Sequence, residues 1–204
     1  MFALVLAWAL SHSAFADHRA RFETEFNPDQ YPDMAGEIMI QGEQVRLNTD
    51  KPASLSVLMN KTTKKAVVLI HMMRMMADAD AKKYEKQIPT CVGSAITACL
   101  TKTGFKKIRD EKSESGEVSN VYEKSNKDGK VNIWVVKASK EPFPSKMVIA
   151  SGDGLVVTTL FTESKEVKLD PALFTAPKGY SKSKGFDSII KAGESMLAPK
   201  KSTE

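Results

Sequence analysis

Apolar and polar residues alternate with a period of two through much of the chain. Ile38 and Ile40 alternate up to Gly42, and Val45 and Leu47 alternate after it. Two such runs around a glycine predict a β-hairpin. Successive side chains of a strand point to opposite faces of a sheet, so this pattern is typical of strands that pack on one face.

Similar runs follow in both halves of the chain. They are residues 55–59, 66–71, 105–109, 118–124, 130–137, 147–150 and 155–161, with residues 21–26 as a first strand. Hairpin turns are predicted at residues 126–129, where Gly129 supplies positive φ, and at residues 151–154. Pro142-Phe143-Pro144 ends the strand before it. The predicted fold class is mainly β (α+β), with an antiparallel sheet.

Two segments favour helix instead. Residues 77–88 are rich in Ala, Lys, Glu and Asp, so we expect the preceding strand to run to about Met73 and a short helix to follow. Within residues 181–204, five apolar side chains share one helical face, which predicts a C-terminal amphipathic helix and tail. They are Phe186, Ile189, Ile190, Met196 and Leu197.

The first 16 residues have the pattern of a secretory signal peptide. An apolar run over residues 2–10 is followed by polar residues 11–13 and by Ala14-Phe15-Ala16, an A-x-A cleavage site. The run is shorter than the roughly 20 residues that a membrane-spanning helix needs. No Lys or Arg precedes it, which is atypical, and a buried N-terminal helix is the alternative. We expect cleavage after Ala16 and a periplasmic protein.

The composition suits one globular domain and argues against nucleic acid as a partner. The hydrophobic fraction is 42% and the charged fraction 27%, both ordinary values. The net charge of +5 comes from scattered lysines without a basic helix, and only 2 Trp and 4 Tyr are available to stack on bases. Weak attraction to an anionic membrane surface stays open. We expect a monomer.

Cys91 and Cys99 are the only two cysteines. In an oxidising compartment, such a pair at short separation predicts a disulfide. The alternatives are a metal site, for which no further ligands lie nearby, and a redox pair, which would need the Cys-x-x-Cys spacing. We therefore expect a structural disulfide and no metal.

No catalytic constellation is visible. His12 is lost with the signal peptide, His18 lies at the new N-terminus, and His71 remains inside the domain. A nucleophile triad needs a base and an orienting partner, and no motif marks either around His71. Phosphate-binding loops, zinc-protease motifs and nucleophile elbows are also missing. We expect a protein that is not an enzyme and has no cofactor.

The order of features over residues 36–180 resembles the lipoprotein-carrier (LolA/LolB-like) superfamily, in an uncharacterised periplasmic branch. The features are the early hairpin, the methionine-containing strands, the Cys91–Cys99 loop, Gly116 with Tyr122-Glu123, Trp134 followed by Pro142-Phe143-Pro144-Ser145-Lys146, and Pro171-Ala172-Leu173-Phe174 with Pro177-Lys178-Gly179-Tyr180. The last is the most specific. The resemblance implies a strongly curved antiparallel half-barrel over residues 17–180, with short helices or loops over an apolar cavity. In the characterised carriers that cavity holds acyl chains.

A lined cavity also fits the residue pattern. The strands at residues 66–71 and 130–137 are apolar on both faces, whereas a sheet backed by solvent is apolar on one. We therefore predict a binding protein for an acyl chain, a lipid or the acyl chain of a lipoprotein, with outer-membrane or other envelope components as partners. The candidate wall residues are Leu69, Met73, Trp134 and Phe161.

Residues 71–76 suggest an alternative. They combine an imidazole with four thioethers, which suits Cu(I) and a metal-handling or stress-related interaction protein of the envelope. Flexible methionines also line apolar cavities that adapt to their ligands. On a strand, alternate residues of this segment would face opposite sides and separate the ligands, so cavity lining is favoured.

Overall fold

The computed structural model describes residues 17–29, 31–81, 88–89, 91–127, 129–137 and 143–183. The predicted signal peptide, residues 1–16, lies outside these ranges. So do residues 82–87 of the first predicted helix and residues 184–204 of the second. Within the described ranges, no helix is both long and apolar enough to cross a membrane.

The described chain forms twelve strands, one short α-helix and one 3₁₀ turn. The strands are β1 (Asp17–Asn27), β2 (Met34–Gln41), β3 (Gln44–Lys51), β4 (Leu55–Asn60), β5 (Lys65–Ile70), β6 (Met75–Asp80), β7 (Lys106–Lys112), β8 (Val118–Asn126), β9 (Gly129–Val136), β10 (Lys146–Ser151), β11 (Val156–Val167) and β12 (Ser181–Lys182). The helix α1 (Ile96–Lys102) lies between β6 and β7, and the 3₁₀ turn (Pro171–Phe174) follows β11. The predicted mainly β class is confirmed.

All twelve strands belong to one curved sheet, in the order β12-β6-β5-β4-β3-β2-β1-β11-β10-β9-β8-β7. Strands β1 to β6 form one antiparallel meander, and strands β7 to β11 form another. The pairing of β1 with β11 joins the two meanders, from Asp17 opposite Val167 to Asn27 opposite Val156. Strand β12 is parallel to β6 and extends the sheet two residues past the predicted domain boundary at residue 180. The expected curved antiparallel sheet is therefore present.

Strand β1 defines the two faces of the sheet. Its residues His18, Ala20, Phe22 and Thr24 are buried, and the alternate residues Arg19, Arg21, Glu23 and Glu25 are exposed. We call the side of the buried residues the inner face and the opposite side the outer face. Because side chains alternate along every strand, the pairing register assigns the residues of neighbouring strands to one face or the other.

The described residues 88–89 and 91–105 cover part of the inner face. Ile96 and Leu100 of α1 are buried in the same core as Tyr122 of β8 and Val135 of β9, which are inner-face residues. The helix has only seven residues, and an isolated helix of this length is unstable in water. Its burial against the sheet therefore holds it in place.

The disulfide between Cys91 and Cys99 closes this covering segment, with the two Cα atoms 5.6 Å apart. The predicted pairing is present. Gly93, inside the closed loop, has a φ of +84°, and a Cβ there would lie 3.1 Å from Nε2 of His18. A glycine at this position lets the loop approach β1 closely.

A second, smaller core lies on the outer face. Leu169 and Phe174 pack against Met39 of β2, which places the segment after β11 across the sheet. The 3₁₀ turn in this segment begins at Asp170, whose carboxylate accepts a hydrogen bond of 2.9 Å from the backbone N–H of Ala172. An acidic cap followed by proline is a common start for such a turn.

The expected helix over residues 77–88 is wrong for residues 77–80, which belong to β6, and the strand does not run to Met73. Residues 71–74 form the turn between β5 and β6 instead. Ala77 and Ala79 lie on the inner face opposite Val68 and Ala66. Pairing and packing of these small side chains therefore override the helix propensity of alanine.

Candidate functional site: an apolar hollow on the inner face

An apolar hollow that is open to solvent lies on the inner face where β1 meets β2 and β11. Its lining residues come from five strands in both meanders. They are Phe22, Thr24, Phe26, Met34, Ile38, Leu47, Ile149, Val157, Thr159 and Phe161. None of them belongs to the covering segment, so the hollow lies beside the covered core.

The register of β1 explains how these residues come together. Phe22, Thr24 and Phe26 occupy successive inner-face positions of β1, and their partners on β11 are Phe161, Thr159 and Val157. On the other side, β2 places Met34 opposite Thr24 and Gly36 opposite Phe22. The floor of the hollow is therefore the junction between the two meanders.

Gly36 allows the strands to close around the Phe22 ring. A Cβ at Gly36 would lie 1.9 Å from the backbone oxygen of Asn48 and 3.0 Å from Cζ of Phe22. No real side chain tolerates the first distance, so any substitution would force β2 and β3 apart. The glycine is thus required by the close approach of backbone and ring beneath the hollow.

Eight of the ten lining residues are apolar, and none is charged. The two polar ones, Thr24 and Thr159, are 4% and 6% exposed, and their hydroxyl oxygens lie 3.0 Å apart in a mutual hydrogen bond. Such a surface gains little from a charged ligand and gains most from burying hydrocarbon.

The structure separates the four predicted wall residues. Phe161 lines the hollow. Leu69 is fully buried, but it lies on the outer face opposite Ser56 and Met76. Met73 lies in the turn between β5 and β6 and is 56% exposed.

Trp134 is also on the outer face, opposite Val121 of β8 and Lys146 of β10. Nζ of Lys146 lies 4.9 Å from the centre of the indole ring, and Cζ of Arg109 lies 6.0 Å from it. Cations over the ring face are attracted by its quadrupole, and their aliphatic stems cover apolar surface. Trp134 thus packs under basic side chains on the outer face and does not line the hollow.

A hydrogen-bonded network on the outer face contains the one histidine expected inside the domain. Nε2 of His71 lies 2.7 Å from Oγ of Ser56, and Nδ1 lies 2.6 Å from the hydroxyl oxygen of Tyr180. Oγ of Ser56 donates to Oδ1 of Asn48 at 2.6 Å. Nε of Arg46 donates to the same Oδ1 at 2.7 Å. These partners are 15 and 109 residues from His71 in sequence, so no local motif could have indicated them.

The directions of these bonds assign the protonation of His71. Because the Ser56 proton goes to Asn48, Nε2–H of His71 must donate to Ser56, and Nδ1 must accept from Tyr180. Burial and, secondly, the charge of Arg46 lower the pKa of His71, which keeps the ring neutral. Ser56 is fully buried, and its hydroxyl proton does not face the imidazole. The close pair of Ser56 and His71 is therefore not arranged as a nucleophile and its base.

The same arrangement bears on the copper alternative. Both ring nitrogens of His71 are already hydrogen bonded, Met72 and Met73 lie in an exposed turn, and Met75 and Met76 point to opposite faces of the sheet. Residues 71–76 therefore do not converge on one point. Among the described residues, no group of three or more His, Cys, Asp or Glu side chains is placed to hold a metal.

No family model and no curated protein matches the chain. Among solved structures, it is similar to a LolA superfamily protein from Nitrosomonas europaea, at 16% identity and a TM-score of 0.43, over 78% of this chain and 90% of that one. It is also similar to PNGF-II, at 12% identity and a TM-score of 0.44, over 88% of this chain but only 33% of PNGF-II. The superfamily of the first structure is the one that the sequence resembles.

Proposed function

We propose that the protein is an exported binding protein that holds an acyl chain, in a lipid or a lipidated partner, in the apolar hollow. The observation that carries this proposal is the lining of the hollow, which has eight apolar residues, no charged residue and an open mouth. A concave apolar surface with a few placed polar groups is the usual form of a small-molecule site.

The affinity of such a site would come from buried hydrocarbon. Each methylene group removed from water contributes about 0.8 kcal/mol, so eight of them contribute roughly 6 kcal/mol before the cost of association. A role in binding rather than catalysis also agrees with the Ser56 and His71 pair, which is not arranged as a nucleophile and its base. Periplasmic location and envelope partners remain part of the same proposal.

A matched pair of variants on β10 tests the site. Ile149 lines the hollow and Val148 lies on the outer face, and both are partly buried. Ile149→Asp places a charge in the hollow, so we expect it to weaken binding of the neutral fluorescent probe N-phenylnaphthylamine by about tenfold or more. Val148→Asp should leave binding unchanged.

The measurement is a fluorescence titration of the purified protein, followed by displacement of the probe with lauroyl compounds. Circular dichroism verifies that both variants are folded. Equal binding by the two variants, or no displacement by any lauroyl compound, would show that the hollow is not an acyl site.

A further inference from the structure

The threonine pair on the wall of the hollow has one hydroxyl hydrogen to spare. A hydroxyl carries one hydrogen and two acceptor lone pairs. The 3.0 Å contact between Oγ1 of Thr24 and Oγ1 of Thr159 uses one of the two hydrogens. Within the described chain, neither hydroxyl makes another hydrogen bond. The second hydrogen therefore has no acceptor among the residues that the structure describes.

The surroundings of the pair make this unusual. Thr24 and Thr159 are 4% and 6% exposed, and buried donors in proteins are almost always paired. On the neighbouring strands, Met34 lies opposite Thr24 and Met147 lies opposite Thr159, both on the inner face. The thioethers of these methionines are weak acceptors. Both threonines line the hollow, and the spare hydrogen can serve an acceptor on a bound ligand there.

The charge of the lining decides which acceptor fits. No cationic side chain lines the hollow, so a carboxylate beside the threonines would be buried without a counter-charge. A neutral carbonyl oxygen meets the spare hydrogen without that cost. On the basis of the proposed function, we infer that the Thr24–Thr159 pair makes the hollow selective for acyl esters over free fatty acids and over plain hydrocarbons.

Ligands that share one chain length test this selectivity. The experiment measures how well methyl laurate, laurate and dodecane each displace N-phenylnaphthylamine from the full chain. It is carried out at about pH 8, where a carboxyl group is ionised. We expect methyl laurate to bind about tenfold more tightly than either of the other two compounds. Monolauroylglycerol and a synthetic diacylated lipopeptide then distinguish the two sources of an acyl ester, a glyceride lipid or a lipidated protein.

The variants separate the pair from its single members. In Thr24→Val or Thr159→Val, the remaining hydroxyl is released from its partner and still donates, so the preference for the ester should persist. The double variant, in which both threonines become valine, has no donor and should lose the preference while binding dodecane as before. Double replacement by serine keeps both hydroxyls and should keep the preference. Thr158→Val, on the outer face of the same strand, is the control.

The outcomes distinguish this inference from the proposed function. If all three lauroyl-length compounds displace the probe equally, or the double valine variant keeps the ester preference while circular dichroism shows it folded, the threonine pair does not select esters. The hollow would still be an acyl site in that case. If none of the compounds displaces the probe, the proposed function fails and the selectivity fails with it.

Discussion

Burial controls the protonation of two histidines in this protein. His71 is neutral within its network, and its pKa is lowered by burial first and by the charge of Arg46 second. His18 packs under the covering loop beside Gly93. Burial lowers its pKa as well, although the carboxylates of Glu166 and Asp17 oppose the shift. Each residue is more basic in the unfolded chain than in the folded one.

The free energy of unfolding should therefore depend on pH. Between the lowered folded pKa and the ordinary value of 6.5, the unfolded chain binds more protons, so stability falls as the pH decreases through this window. Urea denaturation from about pH 7.5 to about pH 5.5 measures the effect. His71→Gln should make the dependence shallower, because one of the two groups is removed. A dependence that is unchanged in this variant would mean that His71 does not contribute.

Asp17 is the first residue after the predicted cleavage site, and it has a structural role. Its carboxylate accepts a hydrogen bond of 2.8 Å from Nε2 of Gln41 and another of 2.8 Å from the backbone N–H of Leu169. These bonds fix the start of β1 against β2 and the segment after β11.

We expect the exported protein to begin at Asp17, because the A-x-A site ends at Ala16. N-terminal sequencing of material from the periplasm should give Asp17-His18-Arg19. Finding Met1 on cytoplasmic protein would contradict both the export and the oxidising compartment.

At the scale of elements, the covering segment depends on its disulfide. The helix α1 is short, and no side chain caps its N-terminus at Ala95. Its C-terminal end is capped by Thr103, whose Oγ1 donates a hydrogen bond of 2.9 Å to the backbone oxygen of Cys99. Burial of Ile96 and Leu100 and the Cys91–Cys99 bond hold the rest of the helix. A disulfide that closes a loop of this size stabilises a protein mainly by restricting the unfolded chain.

Replacing both cysteines with serine should lower the free energy of unfolding by about 2–3 kcal/mol. The sheet content should be unchanged by circular dichroism, since the strands do not include this segment. Thiol titration of the denatured, unreduced wild type should find no free thiol. Two free thiols would remove the stabilising role.

Most strands were predictable from the sequence, because alternation is a local signal and most of the buried apolar residues lie on the inner face. Strand β6 was not, since alanine favours helix in isolation and only the pairing with β5 makes Ala77 and Ala79 suitable for a strand.

The hollow was largely unpredictable. Thr24 and Thr159 are 135 residues apart, and periodicity contains no information on which distant strands pair. The position of Trp134 could not be predicted for a similar reason. In the sequence, an apolar residue that is covered by the aliphatic stems of lysine and arginine cannot be distinguished from one that lines a cavity.

At the scale of the whole molecule, the pairing of β1 with β11 joins the two meanders at the centre of the described sheet. The hollow straddles this junction, with Phe22 and Phe26 on one side and Val157 and Phe161 on the other. Neither meander alone contains a complete site. A ligand that contacts both would bind only the joined form and would stabilise it by mass action.

The junction also has a consequence for the order in which the chain folds. A chain that emerges N-terminus first presents β1 early, whereas its partner β11 follows more than a hundred residues later. Until then β1 is an edge strand, and pairings of such high contact order form slowly. Charged side chains on an edge strand oppose its pairing with a strand of another chain. The outer face of β1 has four such residues, Arg19, Arg21, Glu23 and Glu25. Strand β1, whose pairing with β11 completes the hollow, is thus protected until β11 arrives.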